Sequence, residues 1–303
     1  MLKLKLSLFN YCGLVIFRFC NPIATQERMK SENNRNDNPL KMQQLEEGGL
    51  FVLPDQLCSS RRADFFRRGN IIIGFYTTVA MTSKHGHDLL TKHETEGKLK
   101  PDTQIKIDMN PDGGIILTNY GLFKKQYTVA GRHLTNQVFL MLYGNFEAYF
   151  SDLVLDALIQ MGSISNPIKS TITIMTASKW RAKFDRINQK LGIGKQLGRA
   201  ALISKFKDVE MGFLGDLCQD PVDFLEKMAD FRHRLVHSSG RVDQDFKATY
   251  PKAGLSVGQI LSLPFGLPIP LQLFYSHLTD IMDQAFAKKF GWNRKLLSIQ
   301  QLT

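Results

Sequence analysis

The chain has 303 residues, of which 43% are hydrophobic and 22% are charged. This apolar content provides enough residues for a buried core and excludes a wholly disordered chain. The 39 Lys and Arg residues outnumber the 28 Asp and Glu residues, which gives a formal net charge of +11. A positive charge of this size favours an anionic partner, either nucleic acid or an anionic membrane surface.

Residues 1–49 are predicted to be a flexible or processed segment. A basic start followed by an apolar run that ends at Arg18 has the order of a secretory signal peptide. The run is shorter than the ~20 residues that span a bilayer, and no A-x-A cleavage pattern follows it. The alternatives are an ordinary N-terminal element, an upstream start with Met29 or Met42 as the true beginning, or a surface anchor in residues 1–19. We expect a soluble cytoplasmic protein without a membrane partner.

Residues 50–128 are predicted to form a small α+β segment. The stretch IIIGFYTTVAM at 71–81 is rich in β-branched and aromatic residues, which indicates a strand. Alternating apolar residues at 104–121 flank a turn sequence from Asn110 to Gly114. Proline presets one turn dihedral and glycine accepts positive φ, so this pattern predicts a hairpin.

After residue 130 the apolar residues recur at helical spacing. The predicted helices cover 138–161, 171–215 with breaks near Gly192 and Gly194, 221–240 and 271–291. In the third of these, Pro221 is suited to the first position, Asp220 is the candidate N-cap and Gly240 lies past the end. The fold class is therefore mainly α, with a helical bundle at 130–290 and a basic tail at 291–303.

The helix at 221–240 carries an unusual pair of side chains. On a helical wheel Arg232 falls inside the apolar wedge, where a guanidinium must either meet a buried carboxylate or face a cleft. His237 lies at the C-terminal end, where the helix dipole favours a protonated ring. We expect both residues to lie at one accessible cleft. The alternative is a structural ion pair and a capping histidine.

The run from Arg232 to Asp243, RHRLVHSSGRVD, resembles the signature of the HEPN superfamily in its ribonuclease-like branch, which includes RiboL-PSP-type proteins. That signature is an arginine and a histidine, here Arg232 and His237 with four residues between them. The helix NFEAYFSDLVLDAL is similar to the opening helix of that branch, which often has an acid where Glu147 stands. The resemblance covers about 130–290 and departs from the family at His233.

The resemblance implies an up-down helical bundle that forms a homodimer with two facing motifs. Many members are metal-independent endoribonucleases of toxin–antitoxin and other defence systems, whereas others only bind nucleotides, RNA or proteins. For this chain it implies RNA as substrate, no cofactor and, in a toxin, a neutralising antitoxin. RNA cleaves when its 2′-hydroxyl attacks the adjacent phosphate, so His237 would carry the proton and Arg232 would clamp the phosphate. His233 and Glu147 are possible supporting residues, and Glu147 either pairs with Arg232 or faces solvent.

A basic segment at 179–207 is the predicted RNA path, because nine cations there face the single acid Asp185. The cations are Lys179, Arg181, Lys183, Arg186, Lys190, Lys195, Arg199, Lys205 and Lys207. Trp180 and Phe184 lie among them and either stack on bases or belong to the core.

No metal site is predicted. His85, His87 and His93 have a spacing that can bind zinc, but no cysteine or carboxylate pattern accompanies them, so solvated loop histidines are the favoured interpretation. The four cysteines show neither clustering nor CxxC spacing, which is typical of reduced thiols.

Overall fold

The computed structural model of the chain describes residues 57–108, 115–162, 164–193 and 221–296. These residues are mainly helical, which confirms the predicted fold class at that level. Among them, none of the helices combines the length and the apolar character that a membrane span requires.

The helices and strands have the following bounds. The helices are α1 (Ser60–Thr95), α2 (Tyr120–Met161), α3 (Pro167–Met175), α4 (Trp180–Leu191), α5 (Pro221–His237), α6 (Gln244–Thr249) and α7 (Pro268–Phe290), with a 3-10 helix at Pro251–Ala253. The strands are β1 (Leu57–Cys58), β2 (Gln104–Asp108), β3 (Ile115–Asn119) and β4 (Lys295–Leu296). β1 pairs antiparallel with β4, and β2 pairs antiparallel with β3.

The chain divides into two compact units whose boundaries fall within α1 and α2. The hairpin unit contains the described residues between 79 and 130. The bundle unit contains residues 57–78 and the described residues from 131 to 296. The first half of α1 therefore belongs to the bundle unit, although the sequence interpretation placed it in the segment 50–128.

The hairpin unit contains the predicted hairpin. Its strands pair from Gln104 opposite Asn119 to Asp108 opposite Ile115, and the turn sequence at 109–114 lies outside the described residues. Ile105 is buried with Leu99 and Tyr120 in a small core.

The strand predicted at 71–81 is wrong, because these residues lie within α1. The buried residues of α1 include Phe66, Gly69, Ile73 and Tyr76, which recur every three or four positions as on one face of a helix. The preference of β-branched residues for strands is a small free-energy term, and the burial of apolar side chains in the packed core outweighs it. Tertiary packing of this face therefore determines the helix.

The core of the bundle unit contains a group of aromatic rings from three helices. Phe146 on α2 stacks against Tyr275 on α7 with ring centres 4.7 Å apart, and lies 5.2 Å from Trp180 on α4. Phe150 extends the group to Phe184. These contacts fix α4 and α7 against α2, and with them the polar side chains described below.

Glycines in the left-handed conformation end two of the helices. Gly192 follows α4 with φ of 66°, and Gly291 follows α7 with φ of 66°. The predicted break near Gly192 is confirmed. The predicted N-cap Asp220 and the break at Gly194 lie outside the described residues.

Two carboxylates on α7 hold both ends of the bundle unit. The Arg62 side chain is fully buried and donates to Asp280 at 2.7 Å. Asp283 accepts hydrogen bonds from the Ser59 backbone N–H at 3.0 Å and from Arg294 at 2.8 Å. Buried charges need such partners, so this network ties the start of α1 and the β4 segment to α7.

Candidate functional site

The C-terminal end of α5 is closed by a tight turn. The N–H groups of Ser238 and Gly240 both donate to the carbonyl of Arg234 at 3.1 Å. Ser239 and Gly240 have positive φ values of 49° and 70°. A Cβ on Gly240 would lie 3.3 Å from the Leu235 side chain, so the turn favours glycine in both conformation and space. The helix stop predicted at Gly240 therefore has a local cause.

A buried asparagine on α2 ties this turn to the bundle. Gly240 accepts a 2.7 Å hydrogen bond from the Leu261 N–H. Asn136 donates to the Leu261 carbonyl at 2.9 Å and accepts from the Leu263 N–H at 3.2 Å. Asn136 was not among the predicted site residues. The sequence signal that could have found it is an amide side chain next to the apolar face of a long helix. An amide can be buried at such a position when its oxygen and nitrogen both bond to backbone groups.

Glu147 and Lys183, both predicted site residues, form one polar cluster with two aromatic side chains. The Lys183 ammonium lies 3.6 Å from the Glu147 carboxylate and 4.4 Å from the centre of the Trp180 ring. The Trp180 indole N–H donates to the Tyr143 hydroxyl at 3.1 Å. We call Tyr143, Glu147, Trp180 and Lys183 the Glu147 cluster. It joins α2 to α4 inside the bundle unit.

Arg232 is half-buried on α5 and acts electrostatically on the Glu147 cluster. Burial raises the pKa of Tyr143, and the positive charge of Arg232 opposes that rise. Burial also lowers the pKa of Lys183, and Arg232 adds to the lowering as a like charge. No hydrogen bond or ion pair joins Arg232 to another residue in the described part of the chain. Within that part of the chain, Glu147 forms its ion pair with Lys183 and not with Arg232.

His237 is exposed at the end of α5, beside the exposed His233. The centres of the two rings are 4.6 Å apart, and their planes are inclined by 42°. Five helical positions separate Arg232 from His237, which places them about 140° apart around the helix axis. The structure thus places the His237 ring beside His233, whereas Arg232 influences the Glu147 cluster through its charge.

Arg234, which lies between Arg232 and His237 in the sequence, makes several contacts within the bundle unit. Its guanidinium donates to Asp243 at 2.5 Å and to the Ser238 hydroxyl at 3.3 Å, and lies 5.0 Å from the centre of the Phe246 ring. Asp243 in turn caps α6 by accepting from the Phe246 N–H at 2.8 Å. Arg234 therefore stabilises the turn that follows α5.

The predicted RNA path is exposed only in part. Lys179, Arg181 and Lys190 are exposed, whereas Lys183 is only 7% exposed. Arg186 is half-buried and donates to the Thr173 carbonyl. Lys195, Arg199, Lys205 and Lys207 lie outside the described residues.

The two aromatic residues of this segment belong to the core. Trp180 is 1% exposed and Phe184 is 8% exposed, and both pack against Phe150. The sequence left open whether these rings stack on bases or belong to the core, and in the structure both belong to the core. Neither ring is available to stack on a base.

No group of three or more His, Cys, Asp or Glu side chains that could hold a metal ion occurs in the described ranges. His85 and His87 lie on α1, where a two-residue separation places them about 200° apart around the axis. The His87 ring stacks on Tyr127, with ring centres 5.7 Å apart. The H-x-H sequence therefore does not converge on one point.

Comparison of the chain with protein-family models, curated proteins and solved structures found no match. The resemblance to the HEPN superfamily consequently stays a prediction. It depends on the residues from Arg232 to Asp243 and on the helix that contains Glu147.

Proposed function

We propose that this chain is a metal-independent endoribonuclease of HEPN type. The observation that carries the proposal is Arg232, which is half-buried and has no ion-pair partner among the described residues. A partly buried guanidinium needs a negatively charged partner, and an RNA phosphate is a partner whose oxygens match its geometry. The exposed His237 ring on the same helix supplies a group suited to proton transfer near neutral pH.

The proposed reaction needs no bound nucleophile. The 2′-oxygen of the RNA forms a bond to the adjacent phosphorus, and the bond from phosphorus to the 5′-oxygen breaks. One proton leaves the 2′-hydroxyl and one proton reaches the 5′-oxygen, which are the steps assigned to histidine. Arg232 would stabilise the charge that develops on the phosphate oxygens.

A homodimer is part of the proposal. Each motif supplies His237 as one proton carrier, whereas the reaction removes one proton and donates another. Because Arg232 and His237 lie about 140° apart on α5, a second copy is the simplest source of a histidine on the far side of the phosphate. A two-fold pairing would place two motifs around one substrate.

The exposed cations Lys179, Arg181 and Lys190 are the described residues proposed to contact the RNA backbone. An unrestrained ribonuclease would damage its own cell, so we include a neutralising antitoxin and a cytoplasmic setting in a defence system. The alternative function is a non-catalytic HEPN-like module that binds nucleotide, RNA or protein through Arg232.

The test is RNA cleavage by the purified full chain in EDTA. We expect Arg232→Ala and His237→Ala each to lower the rate by about 10²-fold or more, since each removes a group used in the transition state. Arg132→Ala and His133→Ala are matched controls, because both residues are exposed on α2. A wild-type chain that cleaves no RNA would refute the nuclease. RNA binding that Arg232→Ala weakens, without cleavage, would support the alternative.

A further inference from the structure

His233 and His237 face the same side of α5. Residues four positions apart are neighbours on a helix surface, with Cβ atoms about 5–6 Å apart. The ring centres are 4.6 Å apart, so the two imidazoles are closer than their backbone attachment requires. Both side chains are exposed, and in the described part of the chain no hydrogen bond or ion pair engages either ring.

This arrangement fits two ligands of one metal ion. Zinc–nitrogen bonds of about 2.0–2.1 Å at a tetrahedral angle place two donor nitrogens about 3.3 Å apart. The ring centres of His233 and His237 are 4.6 Å apart, a separation at which rotation of the two side chains can bring one nitrogen of each ring to that spacing. A face-to-face stack at van der Waals distance would require parallel planes instead.

We propose that His233 and His237 bind a divalent transition-metal ion of the class of Zn²⁺, Cu²⁺ or Ni²⁺. Imidazole suits these ions, whereas Mg²⁺ and Ca²⁺ prefer oxygen ligands. Structural zinc sites are closed by four protein ligands. With two protein ligands, the remaining coordination positions stay open to water. The bound ion is therefore exchangeable and is not a structural part of the fold.

Occupancy of this site inhibits the ribonuclease, and this consequence depends on the proposed function. A neutral imidazole accepts a proton through its one basic nitrogen, and a metal ion bound to that nitrogen of His237 blocks it. The ion also adds positive charge and bulk at the end of α5, where the substrate phosphate would approach. The chain would then be metal-independent in catalysis and metal-sensitive in regulation.

Zinc binding is measured first, without RNA. The full chain is freed of metal with EDTA, the chelator is removed, and Zn²⁺ is titrated in competition with a coloured zinc chelator. We expect His233→Ala and His237→Ala each to weaken binding by about tenfold or more, because the second ligand binds intramolecularly. His133→Ala, which alters an exposed histidine on α2, should bind as the wild type does. Equal affinity in all four proteins would overturn the site.

RNA cleavage with and without Zn²⁺ is the second measurement, with Mg²⁺ as the control ion. Zn²⁺ should inhibit the wild type. In His233→Ala the ratio of the uninhibited to the inhibited rate should fall towards one, whatever the uninhibited rate is. Undiminished inhibition in His233→Ala, or no inhibition of a wild type that binds Zn²⁺, would overturn the regulatory role. Zinc binding by a wild type that cleaves no RNA would refute the nuclease and leave the metal site standing.

Discussion

The ammonium group of Lys183 lies 4.4 Å from the centre of the Trp180 ring. Both side chains are buried, and Glu147 provides the negative partner for the ammonium. Burial lowers the pKa of Lys183, whereas the charge of Glu147 raises it. A lysine in the middle of a basic segment thus stabilises the packing of α4 on α2 instead of facing solvent.

Replacement of Lys183 by alanine should lower the free energy of unfolding by about 2 kcal/mol. The change removes a desolvated cation–π contact and leaves Glu147 without its ion-pair partner. Lys190→Ala on the same helix is exposed and should change stability by less than about 0.5 kcal/mol. Urea unfolding compares the two variants. Equal stabilities would show that the Lys183 contacts contribute nothing.

RNA binding should depend on the exposed cations of α4 and its N-terminal flank. Reversal of Lys179 and Lys190 to glutamate should make the salt dependence of binding shallower by about 1.4, since each single-strand phosphate contact contributes about 0.7 to the slope. Affinity should fall alike for all sequences, because phosphate contacts carry no sequence information. Filter binding at several salt concentrations measures the slope. An unchanged slope would remove α4 from the RNA path.

Asn136→Ala should lower the free energy of unfolding by about 1–3 kcal/mol. The substitution leaves the buried Leu261 carbonyl and Leu263 N–H without their partner. Because Leu261 also donates to Gly240, the turn that follows His237 should loosen and RNA cleavage should fall. Gln137→Ala is the control, since Gln137 is its exposed neighbour. Thermal unfolding measures the change in stability of both variants, and their RNA cleavage rates measure the effect on the turn. An unaltered Asn136→Ala protein would contradict the role assigned to this side chain.

Asp243 should make stability depend on pH. The Phe246 N–H and the neighbouring Arg234 lower the pKa of Asp243 from 3.8. A carboxyl group whose pKa is lower in the folded state contributes stability above its unfolded pKa of about 3.9, and the contribution is lost as pH falls through the folded pKa. The difference in melting temperature between wild type and Asp243→Asn should therefore be constant above about pH 5 and shrink as the pH falls below 3.8 towards the lower folded pKa.

The control for this measurement is Asp245→Asn, which alters an exposed carboxylate on α6. It removes neither the cap of that helix nor the partner of Arg234. A difference between wild type and Asp243→Asn that stays constant across the pH range would show that the cap and the ion pair contribute nothing through the charge.

Local chemistry made several elements predictable. Pro221 marks the start of α5, and glycines end α4 and α7 because the left-handed conformation suits a residue without a Cβ. Alternating apolar residues predicted the pairing of β2 with β3. The helix period was also present around Lys183, since Trp180, Ile187 and Leu191 share its buried face. Counting charges without that period placed Lys183 in solvent.

The strand predicted at 71–81 failed because residue preference and packing conflict there. β-Branched residues favour a strand locally, but buried Ile73 and Tyr76 align on one face only when the segment is helical. α2 starts at Tyr120, well before the predicted position 138. Apolar periodicity did not indicate these first turns, because they lack a continuous apolar face.

The sequence by itself determined the mainly helical class, the hairpin, the ends of the motif helix and the pair Arg232 and His237 as candidates. Each of these depends on residues close together in the chain, where dihedral preference and periodicity operate. Only the tertiary structure decided that Lys183 pairs with Glu147, that Asn136 holds the turn after His237, and that Arg232 has no ion-pair partner among the described residues. Those relationships depend on residues far apart in the chain, and the burial and the partners of a charged side chain are properties of the packed bundle.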